Sequence, residues 1–460
     1  MSTAPLAALA HDSWPLWAKT SAGADEPAPN VVEPESVEDV CRVVGELARS
    51  GRAGTALGGA SNVVGCLYSS EPCTYLSMRK LNRVLAIDAE NCTVTVQAGA
   101  YGGELERELN AHGMTLGHYP QSLEISTVGG WIATRAIGTF SGLYGGIENT
   151  LLAVTAVLGD GSLVETPVTP RTVGGPSVAM MFVGAEGTHG VVTSATLRIY
   201  PSAERHVHDA WILPSLADAL ALARTFVQRG LHPAMLRVYD GAESRSLLGA
   251  RAQGADASVM IVAFEGLDEV VDAQYGAAER ALHEAGASAC PQVAESWFER
   301  RYDAPAFLTR IREPGFIGDA IDVVAWWSGA LDAHSAIASA IREHGASACY
   351  AHFSHFYHQG SSIYFIFEVQ ADDDAAAAQR YGDIWRAVMQ TAQRLDVGIA
   401  HHHGIGAVRR PWLQCGSPSL QALTGRLRDA FDPTRVLARE NLTPGAAIFP
   451  QAQPGGGANP

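Results

Sequence analysis

The sequence predicts an α+β protein of two domains, and three observations support that prediction. Residues 31–200 mix short strands and helices with many glycine turns, whereas the second half alternates strand-like runs with long alanine-rich helices. This rhythm changes between Pro201 and Glu204. The length of 460 residues corresponds to two or three domains at roughly 150 residues each. We therefore expect a second domain built on an antiparallel sheet with helices on one face.

The first predicted domain opens with a helix within residues 31–50. Ser36 stands three residues before Asp39, which is a capping spacing, and Gly51 follows the last apolar position. The later predicted elements of this domain are a strand at 92–97, a helix at 103–112, and a hairpin within 151–166 that turns at Gly159-Asp160-Gly161.

The second predicted domain repeats strands and helices in alternation. Its predicted strands are 235–239, 259–264 and 362–369, and its predicted helices are 215–229, 268–285 and 374–394. We divide the chain into an N-terminal segment at 1–30, a first domain at 31–203, a second domain at 204–400, a returning segment at 401–449 and a disordered tail at 450–460.

Composition excludes several classes of protein. A net charge of −16 disfavours nonspecific binding to nucleic acid or to an anionic membrane. The seven cysteines are odd in number and contain no CxxC pair, so we expect a reduced, cytoplasmic protein without a zinc ribbon. We find no signal peptide and no apolar run of about eighteen residues, so no integral membrane span is expected. Two lysines beside thirty arginines are typical of a GC-rich bacterium.

Three glycine-rich stretches are candidates for ligand binding: Gly58–Asn62, His118–Arg135 and Gly184–Val192. Consecutive small residues leave backbone N–H groups free to point at one anion. An ordinary tight turn remains the alternative for the first stretch taken alone. None of the three is a GxGxxG fingerprint or a Walker loop, so a nicotinamide Rossmann fold is not indicated.

In order and spacing, these stretches resemble the FAD-binding domain of PCMH type in the vanillyl-alcohol oxidase superfamily. Two later stretches, Ser361–Phe365 and His401–Gly406, are similar to the alkylglycerone-phosphate (alkyldihydroxyacetonephosphate) synthase group. The resemblance covers roughly residues 30–445 and implies a flavin between two domains. Some members of that superfamily bind flavin covalently through a histidine in the first loop. Here that loop holds no histidine, so we expect noncovalent FAD, and a covalent link through Cys66, just beyond the loop, is the alternative.

The resemblance implies which residues approach the cofactor, with the first two stretches at the pyrophosphate and the Glu186 segment at the adenosine and ribose. The expected cofactor-binding residues are Gly58, Gly59, Ala60, Ser61, Asn62, Pro120, Ser122, Ser126, Thr127, Gly129, Gly130, Ala133, Thr134, Glu186, Gly187, Gly190 and Val191.

Five residues are candidates for catalysis, and the resemblance supports each of them: Tyr364, His402, His403, Arg237 and His118. Histidine titrates near neutrality and suits proton transfer. Tyr364 lies in a strand of alternating aromatic residues, for which a core position is the alternative. Arg237 interrupts an apolar strand, and a buried arginine needs an anionic partner. That partner is either a bound ligand or Asp240. We also expect His355 to lie near the substrate.

Two reactions fit these residues. We favour an FAD-dependent oxidoreductase that oxidises a small oxygenated metabolite by hydride transfer to flavin N5. The alternative is a redox-neutral, synthase-like exchange of acyl for alkyl through a flavin N5 adduct. The metal-dependent 2-hydroxyacid dehydrogenases of this superfamily carry a GDGN core, which the region from His355 to Ser362 lacks. We therefore expect no metal, a small-molecule substrate, and an assembly that could be a homodimer.

Overall fold

The computed structural model describes residues 12–20, 29–249, 256–303, 306–413, 417–445 and 448–449. The predicted tail at 450–460 and most of the predicted N-terminal segment lie outside the described residues.

The described chain forms strands β1 Asn30–Val32, β2 Ala53–Leu57, β3 Cys73–Ser77, β4 Val84–Asp88, β5 Thr93–Gln97, β6 Met114–Thr115, β7 Leu151–Val157, β8 Leu163–Glu165, β9 Val191–Arg198, β10 Tyr200–Pro201, β11 Arg205–Leu213, β12 Met235–Tyr239, β13 Ser258–Gly266, β14 Ser288–Ala289, β15 Phe316–Trp326, β16 Ala348–Phe356 and β17 Gly360–Gln370. Its helices are α1 Pro15–Thr20, α2 Val37–Ser50, α3 Gly102–Ala111, α4 Val128–Thr134, α5 Ser141–Tyr144, α6 Ile147–Thr150, α7 Leu216–Gln228, α8 Gly241–Leu248, α9 Asp268–Glu284, α10 Pro291–Arg300, α11 Ala306–Thr309, α12 Ala330–Glu343, α13 Asp374–Arg394, α14 Gly406–Arg409 and α15 Pro418–Phe431.

The first domain contains a parallel sheet of order β1-β3-β2 and an antiparallel sheet of order β4-β5-β9-β7-β8. The predicted caps of α2 are confirmed. The Ser36 hydroxyl accepts the Asp39 N–H at 3.1 Å, and Gly51 adopts a left-handed φ of 66°. The predicted hairpin is also present, as β7 and β8 pair antiparallel across the Gly159–Gly161 turn.

All seven strands of the large sheet come from the second half of the chain, in the order β14-β11-β13-β12-β16-β17-β15. Four long helices, α7, α9, α12 and α13, pack on one face through residues such as Phe226, Leu282, Ile337 and Trp385. This arrangement confirms the predicted α+β class with an antiparallel sheet. The shorter α8 and α10 lie on the other face, where Leu248 and Ala294 join Tyr144 of the first domain in one apolar cluster.

Both ends of the described chain connect the two domains. Ser13 donates its N–H to the carbonyl of Asn62 at 2.7 Å, and the neighbouring Trp14 indole donates to the Tyr381 hydroxyl at 2.9 Å. Near the other end, Leu437 forms a parallel bridge with Gly54. Among the described helices, none combines the length and apolar character that a membrane crossing needs.

Candidate active site

A cavity of about 700 Å³ lies between the two domains. The first domain contributes the loop Gly58–Asn62 and the stretch Pro120–Thr127. The large sheet and the returning segment contribute Arg237, Tyr364, His402 and His403, the last two as neighbours in the chain. The fold therefore brings four of the five predicted catalytic residues to the same cavity as the predicted cofactor loops.

The first glycine loop carries free donors at this cavity. Among the hydrogen bonds of the described residues, none uses the backbone N–H of Gly59, Ala60 or Ser61. Thr127 also lines the cavity, and its buried hydroxyl has no partner among the described residues. A row of unpaired N–H groups beside a free hydroxyl suits the negatively charged pyrophosphate of FAD, so these residues fit the cofactor that the sequence predicts.

Most of the predicted cofactor residues line the cavity: Gly58, Gly59, Ala60, Ser61, Asn62, Pro120, Ser122, Ser126, Thr127, Gly130, Ala133, Thr134, Glu186 and Gly187. The structure does not bring Gly129, Gly190 and Val191 to it. A side chain at Gly129 would meet Ala98, and one at Gly190 would meet the carbonyl of Val157 at 2.7 Å. Val191 begins β9 inside the apolar core. These three positions therefore serve close packing in the first domain.

Glu186 ties the third glycine stretch to the histidine run. Its carboxylate accepts the N–H groups of Ile405 at 2.6 Å and Gly406 at 3.1 Å. The Asn62 side chain makes a second connection by donating to the carbonyl of His403 at 2.8 Å. Both oxygens of Glu186 thus accept from the returning chain.

Cys66 also lines the cavity, but its thiol is not activated. Burial raises the pKa of the Cys66 thiol well above its ordinary value, and the carboxylates of Glu186 and Asp12 raise it further. A thiol attacks as the thiolate, which this environment disfavours. The expectation of noncovalent FAD therefore has a physical basis at the one cysteine that lies close to the first loop.

The strand register of the large sheet assembles the catalytic side. Tyr364 on β17 lies opposite Asp322 on β15 and opposite His352 on β16. Its ring is held between two imidazoles, with centroids 4.8 Å from His352 and 5.8 Å from His402, both nearly parallel. The Tyr364 hydroxyl has no hydrogen-bond partner among the described residues, and burial raises its pKa above the ordinary value. It therefore faces the cavity as a neutral donor.

Asp322 organises the histidine run, and the sequence analysis did not single it out. Its carboxylate accepts the N–H of His401 at 2.6 Å and of His402 at 2.8 Å, and pairs with the buried guanidinium of Arg409 at 2.5 Å. Burial alone would raise the pKa of Asp322, but Arg409 and His403 hold it well below its ordinary range. The signal that could have identified it was an acidic residue at a buried position of an otherwise apolar strand, although Asp319 on the same strand gives the same signal.

The histidines of the run differ in their surroundings. His403 Nδ1 lies 2.8 Å from Asp322 without hydrogen-bond alignment, whereas His402 Nδ1 lies 2.9 Å from His401 Nδ1. Burial lowers the pKa of His402 well below its ordinary value and that of His401 to about 4, against the opposing effect of Asp322. Both imidazoles are therefore neutral at pH 7 and can accept a proton.

Asp322, His402 and His403 place one ligand atom each within 4.8 Å of one another, which is close enough for a metal ion. The carboxylate, however, already accepts two backbone N–H groups and a guanidinium. A cation there would compete with the charge of Arg409. The donor set is thus better suited to orienting histidines than to binding a metal.

Arg237 points at a histidine rather than at Asp240. One guanidinium nitrogen lies 2.6 Å from His352 Nε2, and His352 Nδ1 lies 3.0 Å from Glu243. Because arginine only donates, Nε2 accepts and Nδ1 carries the proton. Asp240 instead caps α8 through the N–H of Glu243. Arg237 therefore lines the cavity as a cation that no carboxylate pairs directly among the described residues.

His118 and His355 occupy different kinds of position. His118 is buried outside the cavity, 4.7 Å from the Trp131 ring, and neither ring nitrogen has a partner among the described residues. Burial lowers its pKa to about 3. His355 does line the cavity, at a bulge in β16 with a left-handed φ of 52°, and its Nδ1 lies 2.9 Å from the Ser141 hydroxyl. The structure brings His355 to the cluster and leaves His118 apart from it.

Comparisons with known proteins agree with this geometry. The chain is 27% identical over 468 residues to the alkyldihydroxyacetonephosphate synthase of Trypanosoma brucei brucei, covering 93% of this chain and 75% of that protein. It is 28% identical over 438 residues to an uncharacterized FAD-linked oxidoreductase, YgcU, of Escherichia coli K12, covering 90% of this chain and 88% of that protein.

Two solved structures have the same fold. An alkyldihydroxyacetonephosphate synthase superposes with a TM-score of 0.76 at 24% identity, covering 91% of this chain and 78% of that one. The 4-ethylphenol oxidase of Gulosibacter chungangensis, in complex with isoeugenol, superposes with a TM-score of 0.75 at 16% identity, covering 95% and 93%.

Two family models match the two domains in turn. The FAD binding domain family matches residues 28–167, and the C-terminal domain of FAD linked oxidases matches residues 204–442, which is more than half of the chain. The chain therefore belongs to the family of FAD-linked oxidases, and its cofactor is FAD.

Proposed function

We propose that the protein is an FAD-dependent oxidoreductase that oxidises a small oxygenated metabolite carrying an anionic group. When bound, FAD supplies a two-electron acceptor for the hydride. His402, or its neighbour His403, takes the hydroxyl proton of the substrate, and Tyr364 donates a hydrogen bond to the same oxygen. We place the reaction in the cytoplasm, because the cysteine usage is that of a reduced protein.

The observation that supports this proposal most is the pairing of Tyr364 with His402 at the cavity. Their rings stack with centroids 5.8 Å apart, and the Tyr364 hydroxyl has no hydrogen-bond partner among the described residues. Burial lowers the pKa of His402, so the imidazole is a neutral acceptor at working pH. A positioned base of this kind contributes about 10²–10⁴-fold to a proton transfer. The arrangement therefore suits removal of a proton from an alcohol.

Arg237 is the proposed anchor for the anionic group of the substrate. It lines the cavity, and its nearest polar partner is the neutral acceptor His352 at 2.6 Å. A guanidinium binds carboxylate or phosphate through paired N–H groups. In a chain with a net charge of −16, a guanidinium at the cavity would attract an anionic substrate and orient it there.

A second candidate is the redox-neutral exchange of acyl for alkyl on a glycerone phosphate. The observation that favours it is the likeness to alkyldihydroxyacetonephosphate synthases, which extends over 93% of this chain. Tyr364, His402 and Arg237 could serve that reaction with the same proton-transfer and anchoring roles. The two candidates differ in the fate of the flavin. An alcohol substrate of the oxidoreductase would leave the flavin reduced, whereas the exchange of acyl for alkyl would leave its redox state unchanged.

One experiment separates the two candidates. The holoenzyme is mixed anaerobically with a panel of 2-hydroxy acids and other small alcohols, and the flavin absorbance is followed. Bleaching by an alcohol supports the oxidoreductase. No bleaching, together with exchange of the acyl group on an acylated glycerone phosphate, refutes it and supports the synthase reaction. Tyr364→Phe should keep FAD and lose most of whichever turnover is found, and full activity would remove Tyr364 from the mechanism.

A further inference from the structure

A chain of hydrogen-bonded side chains leads from the cavity to the protein surface. His402 lines the cavity, and its Nδ1 lies 2.9 Å from Nδ1 of His401. His401 Nε2 lies 2.7 Å from the hydroxyl of Tyr357. Tyr357 follows β16 directly and is 40% exposed. One end of this chain is thus at the proposed base, and the other end is in contact with solvent.

The proposed reaction needs such a path, and the inference rests on that proposal. Oxidation of an alcohol to a carbonyl by hydride transfer releases one proton, which the base must pass on before the next turnover. Burial lowers the pKa of His402 well below its ordinary value and that of His401 to about 4. Burial thus disfavours the cationic form of both imidazoles, and the contact between the two Nδ1 atoms at 2.9 Å gives a proton taken up by His402 a next acceptor.

The other polar groups around His402 do not offer a way out. Asp322 already accepts two backbone N–H groups and the Arg409 guanidinium. His355 stacks on His401 at 5.2 Å, but its Nδ1 is occupied by the Ser141 hydroxyl at 2.9 Å. Among the described residues, His401 is thus the hydrogen-bond partner that continues outward from His402.

We propose that His401 and Tyr357 are relay residues that carry the substrate proton from His402 to solvent. The substrate O–H proton binds to Nε2 of His402, and the Nδ1 proton of His402 passes to Nδ1 of His401. The Nε2 proton of His401 passes to the Tyr357 oxygen, which releases its own proton to water. One proton enters and one leaves, both rings change tautomer, and the hydride accounts for the two electrons.

The exit of this path lies at the boundary of the two domains. The charges facing Tyr357 come from the first domain, where Arg135 and Glu148 form an ion pair at 3.3 Å. Burial, and then Glu148, raises the pKa of Tyr357 above its ordinary value. The hydroxyl therefore stays protonated and can accept one proton while donating another.

Tyr357→Phe tests the relay by removing its last donor while keeping the ring. Tyr350→Phe is the matched control, since Tyr350 lies on β16 and outside the cavity lining. The anaerobic rate of flavin bleaching is measured in dilute buffer with the first alcohol that reduces the wild type. We expect Tyr357→Phe to be about tenfold slower, less than the 10²–10⁴-fold loss of a direct base, and imidazole in the buffer to restore the rate. An unchanged rate in dilute buffer would overturn the relay.

A second measurement needs no substrate. In protein labelled with ¹⁵N-histidine, long-range NMR correlations report the tautomer of each ring. The relay requires a protonated Nδ1 on His402 and a protonated Nε2 on His401, and Tyr357→Phe should shift the Nε2 resonance of His401. A protonated Nδ1 on His401, or no shift in the variant, refutes the relay. If no alcohol bleaches the flavin, the proposed function fails, and this measurement decides the relay separately.

Discussion

Asp322→Asn removes the charge at the centre of the histidine run while nearly keeping the shape of the side chain. Asparagine replaces one of the two carboxylate oxygens with an NH₂ group, which donates. If the NH₂ group takes the place of the oxygen that accepts the N–H groups of His401 and His402 at 2.6 and 2.8 Å, those contacts are lost. If it faces Arg409, the contact with the guanidinium is lost instead. Either way a buried donor loses its acceptor. Breaking a buried ion pair from one side costs about 3–5 kcal/mol, so we expect a destabilisation of that size.

Asp319→Asn is the matched control for this substitution. Asp319 lies on the same strand and is equally buried, but its partners are the neutral Tyr381 and Trp385. Burial raises its pKa to about 6, so losing its charge matters less. We expect about 1–2 kcal/mol for one lost hydrogen bond.

Urea unfolding of the two holoenzyme variants, followed by tryptophan fluorescence at pH 7, compares the two costs. Asp322→Asn should also slow flavin reduction more than Asp319→Asn, because it releases the backbone of His401 and His402. Equal destabilisation by the two substitutions would refute the view that Asp322 is a buried charged carboxylate whose ion pair stabilises the histidine run.

Three further predictions concern acid stability and the cofactor. Burial lowers the pKa of His118 to about 3, so below pH 6.5 the unfolded chain binds a proton that the folded chain does not. The folded state therefore loses stability as the pH falls from 7 to 5. His118→Phe should remove about 2 kcal/mol of that loss, measured by urea unfolding at both pH values. A side chain at Gly59 would lie 1.7 Å from the carbonyl of Ile125, so Gly59→Ala should lose FAD on gel filtration. Gly329→Ala is the control and should retain it, because Gly329 has open space around it and a φ of −113°. Acid precipitation should release the flavin into the supernatant, and yellow colour in the pellet would instead indicate a covalent link such as one through Cys66.

Local patterns were enough to predict several of the helices and strands and to mark the glycine-rich loops. The capping spacing of Ser36 and Asp39 gave the first long helix its start, because a cap depends only on residues within one turn. Alternating apolar residues likewise located β12 and β17, and runs of small residues located the loop at Gly58–Asn62. These features depend on near neighbours in the chain, which a sequence displays directly.

The partners of buried charges could not be predicted in the same way. Arg237 and its acceptor His352 are 115 positions apart, and Asp322 and Arg409 are 87 apart. Asp240, the nearest acidic residue to Arg237 in the chain, caps a helix instead. A strand register shifted by one residue would turn Asp322 away from the histidines, since side chains alternate between the faces of a sheet.

The sequence by itself therefore determined the α+β class and the positions of the predicted helices and strands, because short-range spacing encodes them, and its resemblance to a known family indicated the cofactor. Only the tertiary structure decided that Asp322 and Arg409 hold the histidine run, that His118 is packed apart from the cavity, and that His401 leads from the cavity to Tyr357 at the surface. Those arrangements depend on how β15, β16 and β17 align and on where the returning chain crosses them, and a buried charge is stable only where that alignment brings its partner.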